Sequence, residues 1–104
     1  MPTPLIVIVR LRPRAGAEDE LLDVFRRFSP GVFLERGCEK FALHRDDDVF
    51  MVVERWESRE IWEEHLAQPE NARLNAALAP LLAHPADVWD LLPLEIGDPE
   101  KSLI

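Results

Sequence analysis

Residues Leu5 to Leu11 form the run Leu-Ile-Val-Ile-Val-Arg-Leu, whose β-branched members Ile6, Val7, Ile8 and Val9 favour a strand that ends at Pro13 and Gly16. Successive side chains of a strand point to opposite faces, so Leu5, Val7, Val9 and Leu11 make one side while Ile6 and Ile8 make the other. Both sides are apolar, and both need shielding from water. A strand with one solvated face would alternate apolar and polar residues instead. Whatever fold this chain adopts must supply two coverings.

The rest of the sequence offers helix for one of them. From Ala17, the residues Leu21, Val24, Phe25 and Phe28 recur at helical spacing, with Glu18, Asp19 and Glu20 at the start and Arg26 and Arg27 further on, opposing the helix dipole. Pro30 and Gly31 are expected to interrupt or bend this helix, Val32 to Glu35 to add a turn, and Gly37 to stop it. Cys38 to Arg45 and Val49 to Glu57 read as the strands of a hairpin joined by the acidic turn Asp46, Asp47 and Asp48. Ser58 is a helix N-cap, with Glu60 in the first turn and Ile61, Trp62, His65 and Leu66 along one side.

Gln68 and Pro69 separate this short helix from another over about Glu70 to Ala83, striped by Leu74, Ala77, Leu78 and Leu81 and bent by Pro80. Ala86 to Leu92 reads as the last strand, and Pro93, Gly97 and Pro99 mark an aperiodic tail. The order β, α, β, β, α, β is the α+β, ferredoxin-like arrangement, with a four-stranded antiparallel sheet carrying its helices on one face. Residues 1–94 are expected to form the domain and 95–104 a C-terminal tail. The simplest cover for the second face is the same face of another copy, which predicts a homodimer enclosing an apolar small-molecule pocket between the two open faces.

Composition narrows the partners. A chain of 104 residues, 47% apolar, builds one core. At this size only about two-thirds of the unfolded surface is removed from water, so association would add stability. Twenty acidic against twelve basic residues give a net charge of -8, which repels phosphate backbones and anionic lipid alike; neither nucleic acid nor membrane is expected. Cys38 is the only cysteine, so no internal disulfide forms, and together with an N-terminus lacking a basic leader this predicts a cytoplasmic location. His44, His65 and His84 show no ligand spacing, and no metal is expected.

The most informative stretch is Glu54-Arg55-Trp56-Glu57-Ser58 followed by Trp62 and His65. It resembles the antibiotic biosynthesis monooxygenase family, in which a strand ending in Glu-x-Trp-x-Ser precedes a helix with a His seven residues after the Ser. The likeness includes Leu11-Arg12-Pro13 with Gly16, Arg36-Gly37-Cys38 and Leu43-His44-Arg45-Asp46, and leaves out the tail. The resemblance implies a dimeric α-β barrel and cofactor-free oxygenation of phenolic, anthrone or quinol substrates. In such chemistry a base deprotonates an electron-rich substrate, and the anion reduces dioxygen directly.

On that resemblance His65 is the candidate base, since an imidazole exchanges protons near neutral pH. Trp56, with its indole N–H and flat wall, and Glu54 are candidate pocket residues, together with Val52 on the same strand. Bland readings stand beside these: Trp56 as a core or interface ring, His65 as a packed histidine bonded to a backbone carbonyl or to Glu54, Glu54 as half of an ion pair or a helix-end partner. Trp62 and Trp89 read as packing residues, Cys38 as a small buried side chain, and His44 faces either side according to register.

The chain also departs from the family. Many relatives carry a second His after the helix break, where this chain has Pro69-Glu70-Asn71. In the haem-degrading branch the axial His would fall near Asn75 and an active-site Asn near Val9, so haem ligation does not carry over, and both positions remain only candidate substrate contacts. The rival from another class is a non-catalytic dimer that binds a hydrophobic metabolite or serves as a stress-related accessory protein, and a third reading is isomerase or degradative chemistry on a small oxygenated metabolite.

Overall fold

The doubly apolar first strand takes an interior place in the sheet. The computed structural model describes residues 3–104, so the first two residues of the expected 1–94 domain lie outside the described residues. Along the chain come β1 (Leu5–Leu11), α1 (Glu18–Phe33), β2 (Cys38–Asp46), β3 (Val49–Trp56), α2 (Arg59–Leu66), α3 (Pro69–Leu78), β4 (Asp87–Leu91) and the single turn α4 (Pro99–Ser102). The strand order is β2-β3-β1-β4, with every neighbouring pair antiparallel. This is the α+β ferredoxin-like fold.

Register fixes the two faces. Val7 pairs with Glu54 and Val9 with Val52, so Leu5, Val7, Val9 and Leu11 share a side with Phe50, Val52, Glu54 and Trp56. That side is packed by the helices: Leu21, Val24 and Phe25 of α1 and Leu74 and Leu78 of α3 join Leu11, Phe50 and Val52 in one cluster. Val32 and Ile61 join Leu5, Val7 and Trp56 in another. Burial of these side chains stabilises the fold by about 1.5–3 kcal/mol each.

The opposite face carries Ile6 and Ile8 with Met51, Val53 and Arg55 of β3, Ala42 and His44 of β2, and Trp89 and Leu91 of β4. It is not bare. Ile6 is buried, and the Arg55 guanidinium donates to the main-chain carbonyl of Ile104, so the segment after β4 returns to this face. Trp89 and Leu91 stay exposed; Arg10 lies over the Trp89 ring and pairs with Asp87 at 2.9 Å.

Four local expectations change. Helix α1 continues without interruption through Pro30 to Phe33, because Val32, buried in the second cluster, holds its last turn to the sheet against the single hydrogen bond that a proline removes. Its last turn has no basic residue, so Arg26 and Arg27 act within the helix rather than at its end. Helix α3 starts one residue early, with Pro69 in the first turn, and stops at Leu78, where Pro80 forces a 3-10 turn over Ala79–Leu81. The tail, expected to be aperiodic, contains one helical turn capped by the Asp98 carboxylate.

Gly37, in the connection from α1 to β2, packs closely against Ile61 of α2. Its φ is +76°, and a Cβ there would sit 2.5 Å from Ile61 Cγ2, while its carbonyl accepts from the Glu57 N–H at 2.9 Å. Gly16 has φ +86° but open space around it. Gly37→Ala combines left-handed strain with overpacking and should lower unfolding free energy by about 3 kcal/mol, whereas Gly16→Ala, with strain alone, should cost about 1 kcal/mol. Urea midpoints of the two variants check the difference.

Candidate functional site

A cavity of about 500 Å³ lies between the sheet and the helices of a single chain. The sequence places the expected pocket between the open sheet faces of two copies; this cavity is on the other, helix-covered side. The helical layer is broken at Gln68 and ends at Leu81, so it does not seal against the exposed edge strand β4, and the gap beneath it becomes the cavity. Apolar groups from β1, β2 and β3 form its floor, including Val7, Val9, Leu11, Phe41 and Val52; Trp62, Leu74 and Leu78 form its roof. Asn71 and Asn75 of α3 and the segment from Leu82 to Ala86, with His84, complete the wall.

Two titratable groups are buried in this wall. Glu54 follows Phe50 and Val52 on the inward row of β3, and His65 comes one helical turn after Ile61 on the inward side of α2. The Ser58 hydroxyl, accepting from the Ile61 N–H at 3.2 Å, sets where that helix starts and hence which way His65 points. The Trp56 indole N–H donates to Glu54 Oε1 at 2.8 Å. The Trp56 and His65 rings stack with centroids 4.5 Å apart and planes 29° apart. On its other edge, His65 Nδ1 meets Glu35 Oε1 at 2.9 Å.

Burial pushes the Glu54 carboxyl up to about 7; the Trp56 indole N–H works against the rise and the Glu35 carboxylate adds to it. A group that exchanges its proton near neutral pH is therefore held in an apolar wall. The Cys38 thiol is pushed up to about 11, first by burial and then by the carboxylates of Glu35, Glu54 and Glu39, which leaves it an inert thiol. Among the described residues no lysine or arginine lines the cavity.

Of the residues singled out by sequence, Glu54, His65, Val52, Val9 and Asn75 all line the cavity. Trp56 does not: it is fully buried behind the wall, and its N–H is spent on Glu54 rather than offered to a ligand. The partner of His65 is Glu35 instead of Glu54 or a backbone carbonyl, and the partner of Glu54 is an indole instead of a cation or a helix end. His44 alternates with the inward Phe41 and Leu43 and so lies on the open face. Trp62, expected to pack, and His84, singled out only as part of no metal site, both reach the cavity wall.

The chain matches the family described as antibiotic biosynthesis monooxygenase over residues 4–77. The chain belongs to the antibiotic biosynthesis monooxygenase family. A relative, Rv0793 of Mycobacterium tuberculosis, provisionally named a monooxygenase, is 30% identical over 97 residues, covering 91% of this chain and 96% of the relative. The solved structure of Rv0793 superposes with a TM-score of 0.84 at 28% identity, over 92% of this chain and all of that one. A mutant of SnoaB, a cofactor-independent oxygenase from Streptomyces nogalater, shares the fold at a TM-score of 0.81 and 19% identity, over 91% of this chain and 97% of its own. PA3566 of Pseudomonas aeruginosa does so at a TM-score of 0.81 and 24% identity, over 91% and 98%. Among the described residues no helix is long and apolar enough to cross a membrane.

Because Glu54 holds its proton more tightly when folded than in the unfolded chain, where it titrates near 4.5, the ionised form opposes folding. The loss grows as pH rises from about 4.5 to about 7 and is complete above that range. Glu54→Gln, whose carbonyl can still accept from Trp56, should be more stable than the parent by up to about 3 kcal/mol at pH 8, with the advantage gone by pH 4. Denaturant curves at the two pH values give the measurement.

Proposed function

We propose that this protein is a cofactor-independent monooxygenase acting on a small electron-rich aromatic substrate of the anthrone, hydroquinone or phenol kind. The observation that carries the reading is the opening of His65 and Glu54 into one apolar cavity of about 500 Å³, the size range of small-molecule sites. Family membership supports monooxygenase chemistry, and the cavity wall supports the substrate class. With no lysine or arginine in that wall, a substrate bearing a carboxylate or phosphate would be desolvated without a permanent positive charge to offset the cost. A flat, neutral, weakly acidic ring meets no such penalty.

In this mechanism His65 Nε2, the ring nitrogen not engaged by Glu35, takes a proton from the substrate. The substrate anion passes an electron to dioxygen in the apolar cavity, and recombination of the radical pair gives a substrate hydroperoxide. Loss of water from the hydroperoxide leaves a carbonyl. For an anthrone the balance is CH2 plus O2 to C=O plus H2O, the substrate supplying all the electrons. Glu54, able to carry a proton near neutral pH, protonates the departing oxygen while Trp56 keeps its carboxyl aimed at the cavity. Exclusion of water protects the anion from reprotonation.

Oxygen uptake with a panel of anthrones and hydroquinones should exceed the spontaneous rate. His65→Ala should lower turnover by about 100-fold or more while the cavity still binds the same compounds. Binding without uptake for every compound would instead favour a non-catalytic carrier of hydrophobic metabolites.

The same reading includes a homodimer formed through the open sheet face, supported by Trp89 and Leu91 standing exposed beside Ile8, Met51 and Val53. Sedimentation equilibrium at micromolar concentration should return twice the chain mass, and Trp89→Glu should shift it toward the monomer. A monomeric parent chain under those conditions removes the dimer from the proposal.

A further inference from the structure

A second recess of about 240 Å³, walled by Glu35, Arg36, Ile61, Glu64 and Gln68, adjoins the cavity at His65, the one residue that lines both. Arg36 and Glu64 pair at 2.8 Å with both side chains at least half exposed, so this recess reaches solvent. Glu35 turns inward: its side chain is 16% exposed and its Oε1 lies 2.9 Å from Nδ1 of a His65 ring that is 5% exposed. The His65 imidazole is therefore the partition between an apolar chamber and a wet, charged one.

We propose that Glu35 is a positioning residue for His65, holding the proton on Nδ1 so that Nε2 is bare toward the cavity, and balancing the imidazolium that forms when Nε2 takes a proton. The inference rests on the monooxygenase reading and adds to it a residue from a different part of the chain. A neutral imidazole has one donor and one acceptor nitrogen, and the partner of one decides the role of the other. A carboxylate accepts only, so at Nδ1 it selects the tautomer in which Nε2 can act as a base. The proton on Nδ1 stays there through the reaction; the proton taken by Nε2 passes to the peroxide anion as the hydroperoxide forms, or exchanges with solvent.

The other charged groups near the ring do not compete for this role. Glu54 approaches from β3 but spends Oε1 on the Trp56 indole, and Arg36 and Glu64 satisfy each other across the recess. The Trp56 ring stacked on the imidazole, and the Phe41 ring edge-on to it at 6.5 Å, prevent the tilting that would let Nδ1 find another acceptor. Glu35 is also fixed: its N–H donates to the Val32 carbonyl at 3.0 Å and its carbonyl accepts from the Cys38 N–H at 3.2 Å.

Two variants and one spectrum test the assignment, with an anthrone as the kinetic probe. In Glu35→Gln the amide carbonyl still accepts from Nδ1–H, so orientation survives without the charge; kcat should fall about tenfold or more with KM little changed. In Glu35→Ala both are lost, the fall should be larger, and added formate or acetate, small enough for the recess, should restore part of it in a concentration-dependent way. Histidine 15N spectra, assigned with His44→Gln and His84→Gln, should show His65 as the Nδ1–H tautomer in the parent and in Glu35→Gln but not in Glu35→Ala. An Nε2–H tautomer in the parent, or full kcat in Glu35→Gln, would overturn the proposal. A parent with the Nδ1–H tautomer but no oxygen uptake would sink the monooxygenase reading while leaving the Glu35 to His65 linkage in place.

Discussion

The two-residue repeat of β3 forces a carboxyl into the same inward row as Phe50, Val52 and Trp56, and the site is organised around that burial. An isolated carboxylate so placed would be costly, and the fold meets the cost in two ways. An indole N–H two residues along the strand donates to it, and its proton is retained to a pH near neutrality. The Trp56 ring that supplies the donor is then committed, and the imidazole stacked on it turns its far edge to Glu35. Glu54, Trp56, His65 and Glu35 thus form one continuous polar and aromatic path through an otherwise apolar interior.

The fold was largely legible in the sequence because its strongest signals are local. Two apolar faces on β1, the acidic turn after β2, and the Ser58 cap each follow from residues close together in the chain. Helix ends were less legible at prolines, since whether Pro30 stops a helix depends on what Val32 finds to pack against, and that contact lies across the molecule. The cavity on the helix side was not legible for a similar reason. A doubly apolar strand records that both faces are covered, but not how tightly, and the gap arises only because α3 ends short of the edge strand.

The candidate site divides along the same line. Glu54 and His65 were legible through the resemblance of the Glu54 to Ser58 stretch and His65 to the family's pattern, and Val9, Val52 and Asn75 do reach the cavity. Of the two readings of Trp56, the structure supports the core ring rather than the pocket residue, and a sequence cannot show that its donor is already used two residues away. Glu35 was missed altogether: it lies thirty residues before His65 in a short connection, and no periodicity marks it. His84 gave no signal either, since a residue that follows a helix can point anywhere until the next strand is placed.

The bond from Arg55 to the Ile104 carbonyl bears on self-association. It places a covalently tethered segment on the face where a second copy would sit, and a tethered competitor has a local concentration that dilution does not change. A second copy must either displace that segment, giving up the contacts it makes, or seat it within the seam as part of the contact surface. In the first case the affinity between copies is set by a difference between two occupants of one face. In the second, the strength of pairing is written partly in residues 95–104, outside the stretch that defines the family.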